Sequence, residues 1–216
     1  MKNLKNLIIA CSILISGFVG CATGPSEIDA QLAAFQASNP QSILVVPAVN
    51  RSLYVEAPNY FLSSLPIPIA NKGYYVFPVN TVKMILEQEG LYEAEQVYQL
   101  EAAKLAGMFG ADAILYVTIV QWTATYVLLA AQVTVEVDYR MIDKENVEIW
   151  KAHKRMVYTP QRSNSNNAMA NLITDLVVAA ATRAAPNYMP LVNQANTAVF
   201  FTDYTALPSG PYLEVP

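Results

Sequence analysis

The sequence predicts an α+β (or α/β) fold: a mixed β-sheet of about five strands with helices packed on it, forming a single domain. Three observations support this prediction. Residues 114–122 are almost all apolar, which is typical of a strand buried on both faces. Residues 133–141 alternate apolar and polar side chains, as a half-buried antiparallel strand does. Segments of helical periodicity flank these strands, and helices with one apolar face must cover a sheet or another helix.

The first half of the chain alternates predicted strands and helices. In chain order these are a strand at 42–46, a helix at 59–65, a strand at 73–79, and helices at 82–89 and 95–109. Pro47 stops the first strand, because proline has no backbone N–H to donate. Gly90 and Gly110 end the last two helices, because glycine tolerates the left-handed backbone found at helix ends.

The second half is predicted to be a three-strand meander followed by one helix. The strands are residues 114–122, 133–141 and 147–158, with a turn at 143–146 between the last two. The alanine-rich segment 168–185 predicts a helix that packs closely on the sheet.

The first 20 residues predict a bacterial lipoprotein signal peptide. Lys2 and Lys5 give it a positive start. Residues 7–18 are mostly apolar but too short to span a bilayer, which needs about 20 residues. The run ends at Gly20 and Cys21 in the pattern of a lipobox, in which the cysteine thiol takes a diacylglyceryl group and a peptidase cuts before the cysteine. We therefore expect cleavage between Gly20 and Cys21, and lipid on Cys21.

The residue after the cysteine predicts the destination. In lipoproteins with this signal, Asp at that place tends to retain the protein in the inner membrane. Ala22 therefore indicates the periplasmic face of the outer membrane. The predicted organisation is a signal peptide at 1–20, a lipidated cysteine and tether at 21–39, an α/β periplasmic domain at 40–194, and an irregular C-terminal tail at 195–216.

Charge excludes some classes of partner. The chain has 13 Lys and Arg, of which Lys2 and Lys5 leave with the signal, against 17 Asp and Glu. The mature part therefore carries a net charge of −6. An acidic domain without a basic stripe argues against nucleic acid as a partner and against electrostatic binding to anionic lipids. The membrane is expected to be reached through the lipid anchor.

No group of residues in the sequence predicts catalysis, a metal or a cofactor. His153 is the only histidine, and we expect it on an exposed strand. Glu136 and Asp138 share one strand face and are expected to be solvated. Asp112 is expected to cap or pair locally where a strand begins. The sequence contains none of the common nucleotide-binding, serine-hydrolase or zinc-protease motifs. We therefore do not expect an enzyme.

Four motifs occur in order along the mature chain: K-G-Y-Y-V-F-P-V at 72–79, F-G-A-D-A-I-L-Y at 109–116, I-W at 149–150 and L-P-S-G-P-Y at 207–212. Together they resemble a family of bacterial lipoproteins whose best-known member is a neisserial genome-derived antigen. The resemblance covers about residues 40 to 214. The chain departs from the family pattern in the turn at 143–146, which lacks the expected Thr-Gly pair.

The resemblance implies a fold similar to the amino-terminal domain of the Tol-system translocation protein and to lipoproteins that activate peptidoglycan synthases. Family members often sit beside a lipoprotein resembling the curli-secretion channel. These similarities imply a periplasmic module that binds an envelope protein, of which a curli-channel-like lipoprotein is one candidate. The family has no established catalytic residues to carry over.

The Pro- and Tyr-rich segment 54–75 is the candidate functional region. Its possible partner surface comprises Tyr54, Tyr60, Phe61 and Tyr74, because aromatic side chains on rigid loops supply contact area at low entropic cost. A loop tucked onto the core is the other interpretation of the same residues. The leading hypothesis is a non-enzymatic adaptor or assembly factor in an envelope or secretion complex. The alternative is a ligand- or cell-wall-binding lipoprotein that uses this segment.

We expect Cys21→Ser to abolish palmitate labelling and to leave the precursor uncleaved, because serine lacks the thiol that accepts the lipid. Cys11→Ser is the matched control and should be labelled and processed normally. Metabolic labelling with palmitate, followed by gel mobility, checks both. A Cys21→Ser protein that is still labelled and cleaved would refute the lipobox.

Overall fold

The computed structural model describes residues 26–127, 130–158 and 188–213, with side chains omitted at 124–132 and 158. The predicted signal peptide, Cys21, and the predicted helix at 168–185 lie outside these residues. The chain divides into two compact units, Met1–Ala30 and Gln31–Pro216. The second unit contains the sheet.

Six strands and seven helices occur within the described residues. The strands are β1 (Ser42–Val45), β2 (Val49–Asn50), β3 (Tyr75–Val76), β4 (Ala113–Val127), β5 (Ala130–Asp143) and β6 (Glu148–Tyr158). The helices are α1 (Glu27–Ser38), α2 (Ala57–Ser64), α3 (Pro66–Asn71), α4 (Val79–Gln88), α5 (Ala94–Tyr98), α6 (Ala102–Phe109) and α7 (Met189–Thr197). A π-helical turn, Ala198–Thr202, follows α7.

The strands form one mixed sheet in the order β3-β1-β4-β5-β6, with β2 also paired to β4. β1 and β2 both run parallel to β4, one after the other along the same edge. β4, β5 and β6 form an antiparallel meander. The predicted mixed sheet is confirmed. The first predicted strand, 42–46, corresponds to β1. The chain leaves the sheet at Pro47 and pairs again at Val49, in a short strand, β2, that the sequence did not predict.

Helices cover both faces of the sheet. On the first face, α2, α3 and α7 pack against β1, β4, β5 and β6 through residues such as Phe61, Ile69 and Leu191. On the second face, α4, α5 and α6 pack against β1 and β4. The two faces alternate along β4, with Leu115 in the first core and Ile114 in the second. The apolar run at 114–122 reflects this double burial.

The irregular tail that the sequence predicts at 195–216 in fact begins with helical structure. α7 crosses the predicted boundary at 194–195, and Val199, Phe200 and Leu207 are buried in the first core. The Trp150 Nε1 donates a hydrogen bond to the Thr205 carbonyl at 2.9 Å. The prolines of this region obscured its helix, yet Pro190 lies in the first turn of α7, where proline is tolerated.

Two glycines clamp the end of the chain to the segment before β3. The Gly210 N–H donates to the Lys72 carbonyl at 2.7 Å, and the Tyr212 N–H donates to the Gly73 carbonyl at 3.0 Å. A Cβ on Gly210 would lie 2.3 Å from the Gly73 oxygen, so only glycine allows this approach. Gly73 also needs a left-handed backbone, with φ of 87°.

The gap between β1 and β2 along β4 is filled by a side chain. β1 pairs as far as Leu115 and β2 begins opposite Thr118. Between them, the Tyr98 hydroxyl donates to the Val117 carbonyl at 2.6 Å and accepts from the Val117 N–H at 2.7 Å. One phenol therefore replaces the missing strand backbone, and its burial raises the pKa of Tyr98. This hydroxyl belongs to a residue of α5. Gln99–Glu101 separate α5 from α6, whereas the sequence predicted a single helix at 95–109.

Asp112 joins the starts of β1 and β4. Its Oδ2 accepts hydrogen bonds from the Ser42 N–H at 3.1 Å, the Ser42 hydroxyl at 2.9 Å and the Gln41 N–H at 3.2 Å. Its Oδ1 lies 3.3 Å from the Lys144 ammonium in the β5–β6 turn. Burial alone raises the pKa of this carboxyl, but the hydrogen bonds from Ser42, Gln41 and Lys144 outweigh it and hold the pKa below its ordinary value.

We expect Tyr98→Phe to lower the free energy of unfolding by about 1–3 kcal/mol, because it leaves the Val117 N–H and carbonyl unpaired inside the protein. Tyr92→Phe is the control, since that ring is 71% exposed. Urea denaturation of the detergent-solubilised proteins measures both. Equal stability of the two variants would show that the Tyr98 hydroxyl does not fill the gap.

We expect Asp112→Asn to reduce the fall in the free energy of unfolding as the pH is lowered. The folded-state pKa of Asp112 lies below the unfolded value of about 3.9, so its contribution is complete above that value. The contribution is lost as pH falls through the folded-state pKa. Unfolding free energies between pH 7 and pH 3 should therefore converge for wild type and variant at low pH. Parallel profiles would contradict this.

Candidate partner-binding surface

The loop between β2 and α2, residues 51–56, is held in one shape by its own polar groups. The Asn50 Nδ2 donates to the Tyr54 carbonyl at 2.9 Å. The Asn50 Oδ1 accepts from the N–H and hydroxyl of Ser52, at 3.0 and 2.7 Å. The Ser52 hydroxyl in turn accepts from the Tyr54 N–H at 3.2 Å. These bonds fix the loop backbone before any partner arrives.

The same loop presents two large apolar side chains to solvent. Leu53 is 99% exposed and Val55 is 81% exposed, and we call these two residues the apolar tips. Tyr54, between them, points the other way and packs on the protein. Sequence reasoning missed the tips because it looked for aromatic residues. The signal that could have found them is an apolar triplet, residues 53–55, next to a Ser that closes a side-chain turn.

Beneath the loop lies a cluster of four rings, the aromatic cluster, made of Tyr54, Tyr60, Trp122 and Tyr188. The Tyr54 and Trp122 rings are nearly parallel, with centroids 5.6 Å apart. Tyr188 meets both edge-on, at 5.1 and 5.2 Å. Burial raises the pKa of Tyr54 to about 12, and a hydrogen bond with Tyr60 adds to this effect. The tyrosine hydroxyl therefore stays protonated at physiological pH.

The structure divides the four residues predicted as a partner surface. Tyr54 and Tyr60 are half-buried at the edge of the aromatic cluster. Phe61 is 0% exposed and Tyr74 only 4% exposed. Phe61 lies on the sheet-facing side of α2, edge-on to Trp122 at 5.9 Å. Phe61 and Tyr74 are therefore core residues, and their prediction as contact residues is wrong.

Tyr74 has a structural task of its own. Its hydroxyl donates to the Pro208 carbonyl at 2.8 Å, and its ring packs edge-on against Phe35 at 6.3 Å. Burial raises the pKa of Tyr74, as expected for a phenol held as a donor inside the fold.

Two grooves flank the β2–α2 loop, each with a volume of about 380 Å³. The first, the acidic groove, lies between α2 and the segment running from α4 to α5. The second, the tryptophan groove, includes Tyr54, Gln121, Trp122 and Tyr188. In the part of the chain that the structure describes, the buried Trp122 Nε1 has no hydrogen-bond partner.

The lone histidine lies in a charged network on the exposed face of β5 and β6. Its Nδ1 is 2.7 Å from the Asp138 carboxylate and its Nε2 is 3.7 Å from that of Glu136. The His153 side chain is 54% exposed, and Arg155 pairs with Glu136 at 3.2 Å. Among residues 26–127, 130–158 and 188–213, no group of three or more His, Cys, Asp or Glu could hold a metal ion. Within the same ranges, no helix is long and apolar enough to cross a membrane.

Comparison with known proteins identifies the family. The model of the GNA1162-like lipoproteins matches residues 30–211. The chain belongs to this family. A lipoprotein of Neisseria meningitidis serogroup B, NMB1124/NMB1162, is 34% identical over 158 residues, which cover 73% of this chain and 71% of that protein.

One solved structure supports the GNA1162-like assignment, and a more distant one is also similar. The crystal structure of lipoprotein GNA1162 from Neisseria meningitidis superimposes with a TM-score of 0.56 at 31% identity, over 67% of this chain and 100% of that one. The C-terminal domain of LpoB from Salmonella enterica gives a TM-score of 0.41 at 18% identity, over 58% of this chain and 93% of that one. The first comparison confirms both the predicted family and the predicted mixed sheet with helices.

The motifs that resemble other GNA1162-like proteins all have structural tasks here. Gly73 and Gly210 form the backbone clamp, Asp112 joins two strands, and Trp150 holds the C-terminal segment. None of the four motifs includes a residue of the β2–α2 loop. The predicted lipidation and sorting residues, Gly20, Cys21 and Ala22, lie outside the described residues.

Proposed function

We propose that this GNA1162-like lipoprotein is a non-enzymatic adaptor or assembly factor in an envelope or secretion complex. In this proposal Cys21 anchors it to the periplasmic face of the outer membrane, as its lipobox and Ala22 indicate. It binds a protein partner through the apolar tips. The observation that carries the proposal is a rigid loop that exposes Leu53 and Val55 together.

Exposed apolar residues are common when they are scattered, so exposure alone does not mark a site. The β2–α2 loop differs because Asn50 and Ser52 fix its backbone through four hydrogen bonds. Binding costs little conformational entropy when the loop that a partner buries is already rigid. Burial of one Leu side chain contributes about 1.5–3 kcal/mol. A preorganised pair of apolar side chains is therefore well suited to anchor a partner.

The surroundings of the tips also suit a protein interface. Tyr54 and Tyr60 stand half-buried at the base of the loop, where their rings can add contact area without becoming mobile. Interface anchors are commonly a few well-packed aromatic and apolar residues within a polar rim. The partner we propose is another envelope protein, and a curli-channel-like lipoprotein is the specific candidate that the family resemblance suggests.

A second candidate function is binding of a small ligand or a cell-wall fragment in the tryptophan groove. The observation that favours it is Trp122, which is 4% exposed and whose Nε1 lacks a partner among the described residues. A buried donor without an acceptor costs about 1–3 kcal/mol, and a ligand oxygen could recover that loss.

We expect the double variant Leu53→Asp, Val55→Asp to lose capture of the partner by about tenfold or more, because a charge replaces each apolar anchor. Val147→Asp is the matched control, since Val147 is also exposed but lies in the turn between β5 and β6. The measurement is affinity purification of tagged, lipidated protein from solubilised envelopes, with thermal melts of each variant.

Normal melts with lost partners would support the adaptor. Retention of every partner by the Leu53, Val55 double variant would refute it. The ligand alternative has its own readout, because Trp150→Phe leaves Trp122 as the sole tryptophan. A change in Trp122 fluorescence on titration with soluble peptidoglycan fragments would then favour ligand binding.

A further inference from the structure

The acidic groove shares a wall with the apolar tips. Val55 lines this groove, whereas Leu53 lines the tryptophan groove on the other side of the loop. A partner segment that covers Val55 therefore also meets the edge of the acidic groove. The groove is thus continuous with the surface that we propose for the partner.

The groove has an apolar floor. Leu86 of α4 is buried there, and Leu62 of α2 and Leu91 after α4 are half-buried. Pro47 and Ala48, at the break between β1 and β2, complete its inner end. Side chains of this kind favour apolar anchors from a partner over a hydrated polar ligand.

The rim of the groove is negatively charged. Glu87, Glu93 and Glu95 line it against one cation, Lys83, which leaves an excess of two negative charges. Lys83 and Glu87 are 3.9 Å apart, and their side chains are 55% and 43% exposed, so this pair is weak and screened by solvent. Glu95 forms no ion pair with another described residue.

Glu93 has a separate role. Its side chain takes part in a capping box at the start of α5, in which the Gln96 side chain accepts from the Glu93 N–H at 3.1 Å. Glu93 is therefore fixed in place by the helix that it caps. Glu87 and Glu95 remain as the carboxylates that can change partner without disturbing the fold.

We propose that the acidic groove receives a basic, amphipathic segment of the partner protein. Its apolar side chains lie on the floor formed by Leu62, Leu86 and Leu91. Its Lys or Arg side chains pair with Glu87 and Glu95 on the rim. This inference rests on the proposed adaptor function and specifies the chemistry of the partner.

Charge complementarity selects this occupant. A groove with an excess of negative charge repels anionic lipid head groups and nucleic acid, and it also opposes an acidic peptide. An amphipathic segment laid into an apolar groove is a common mode of peptide recognition. Opposite charges at the rim also steer the encounter and fix the register of the segment.

The test uses full-length lipidated protein in detergent micelles and two labelled synthetic peptides of equal length. One peptide alternates Leu and Lys with helical spacing, and the other carries Glu in place of each Lys. The variant is Glu87→Gln, Glu95→Gln, which keeps side-chain size and spares the capping box. The control is Glu89→Gln, Glu145→Gln, which removes the same charge from two exposed residues outside the groove.

Fluorescence polarisation should show that the Leu/Lys peptide binds and the Leu/Glu peptide does not. The Glu87, Glu95 variant should bind the Leu/Lys peptide two- to thirtyfold more weakly, the loss expected for two exposed ion pairs. Its binding should also depend less on NaCl concentration than that of the wild type. The control variant should behave as the wild type in both respects.

Equal binding of both peptides, or equal loss in the control variant, would overturn the inference. Capture of the envelope partner distinguishes failure of this inference from failure of the proposed adaptor function. One outcome is that the Leu53, Val55 variant loses the partner while the Glu87, Glu95 variant retains it at all salt concentrations. This result would refute the basic segment but would still support the adaptor function. Retention in both variants refutes the adaptor itself. Cross-linking of two copies that Val55→Asp abolishes would assign the groove to self-association instead.

Discussion

The fold depends on keeping β4 hydrogen-bonded along both of its edges from Ala113 to Ile119, because the side chains at the start of this strand pack alternately into the two cores. β5 satisfies one edge without a gap apart from a bulge near Gln121. The other edge is shared by β1 and β2, and the Tyr98 hydroxyl covers the space between them. Because this hydroxyl takes the place of strand backbone, the chain can leave the sheet at Pro47 and return at Val49. The β2–α2 loop and the inner end of the acidic groove both follow from this break. The proposed interface is therefore a by-product of how one strand is kept paired.

Much of this architecture could be predicted from local patterns. The double burial at the start of β4 shows in its almost entirely apolar run, and the single burial of β5 shows in its alternation. Gly110 marks the end of α6 because its backbone is left-handed there, with φ of 71°. The elements that were missed lack such patterns. β2 has two residues, and α3 and α7 contain prolines that usually break helices. Their structure is decided by tertiary packing, which local sequence does not report.

The candidate site shows the same division. Aromatic content correctly drew attention to the segment at 54–75, but composition does not say which face of α2 a ring occupies. Phe61 lies on the sheet-facing side of α2 and cannot contact a partner. Leu53 and Val55 were not predicted as contact residues, because aliphatic residues in a loop have no distinctive spacing. Their exposure depends on side-chain bonds from Asn50 and Ser52. The family motifs gave no help either, since their residues form the clamp and the strand junctions. The residues proposed for partner binding and the residues of the family motifs are therefore separate sets.

The clamp between Gly73 and Gly210 has a consequence for biogenesis. The first core is incomplete until Val199, Phe200 and Leu207 are in place, and the last hydrogen bonds form only when Tyr212 reaches the Gly73 carbonyl. A chain that crosses a membrane amino terminus first delivers these residues last. The first core of such a chain therefore cannot be completed until this segment has emerged, which is compatible with translocation as an unfolded polypeptide.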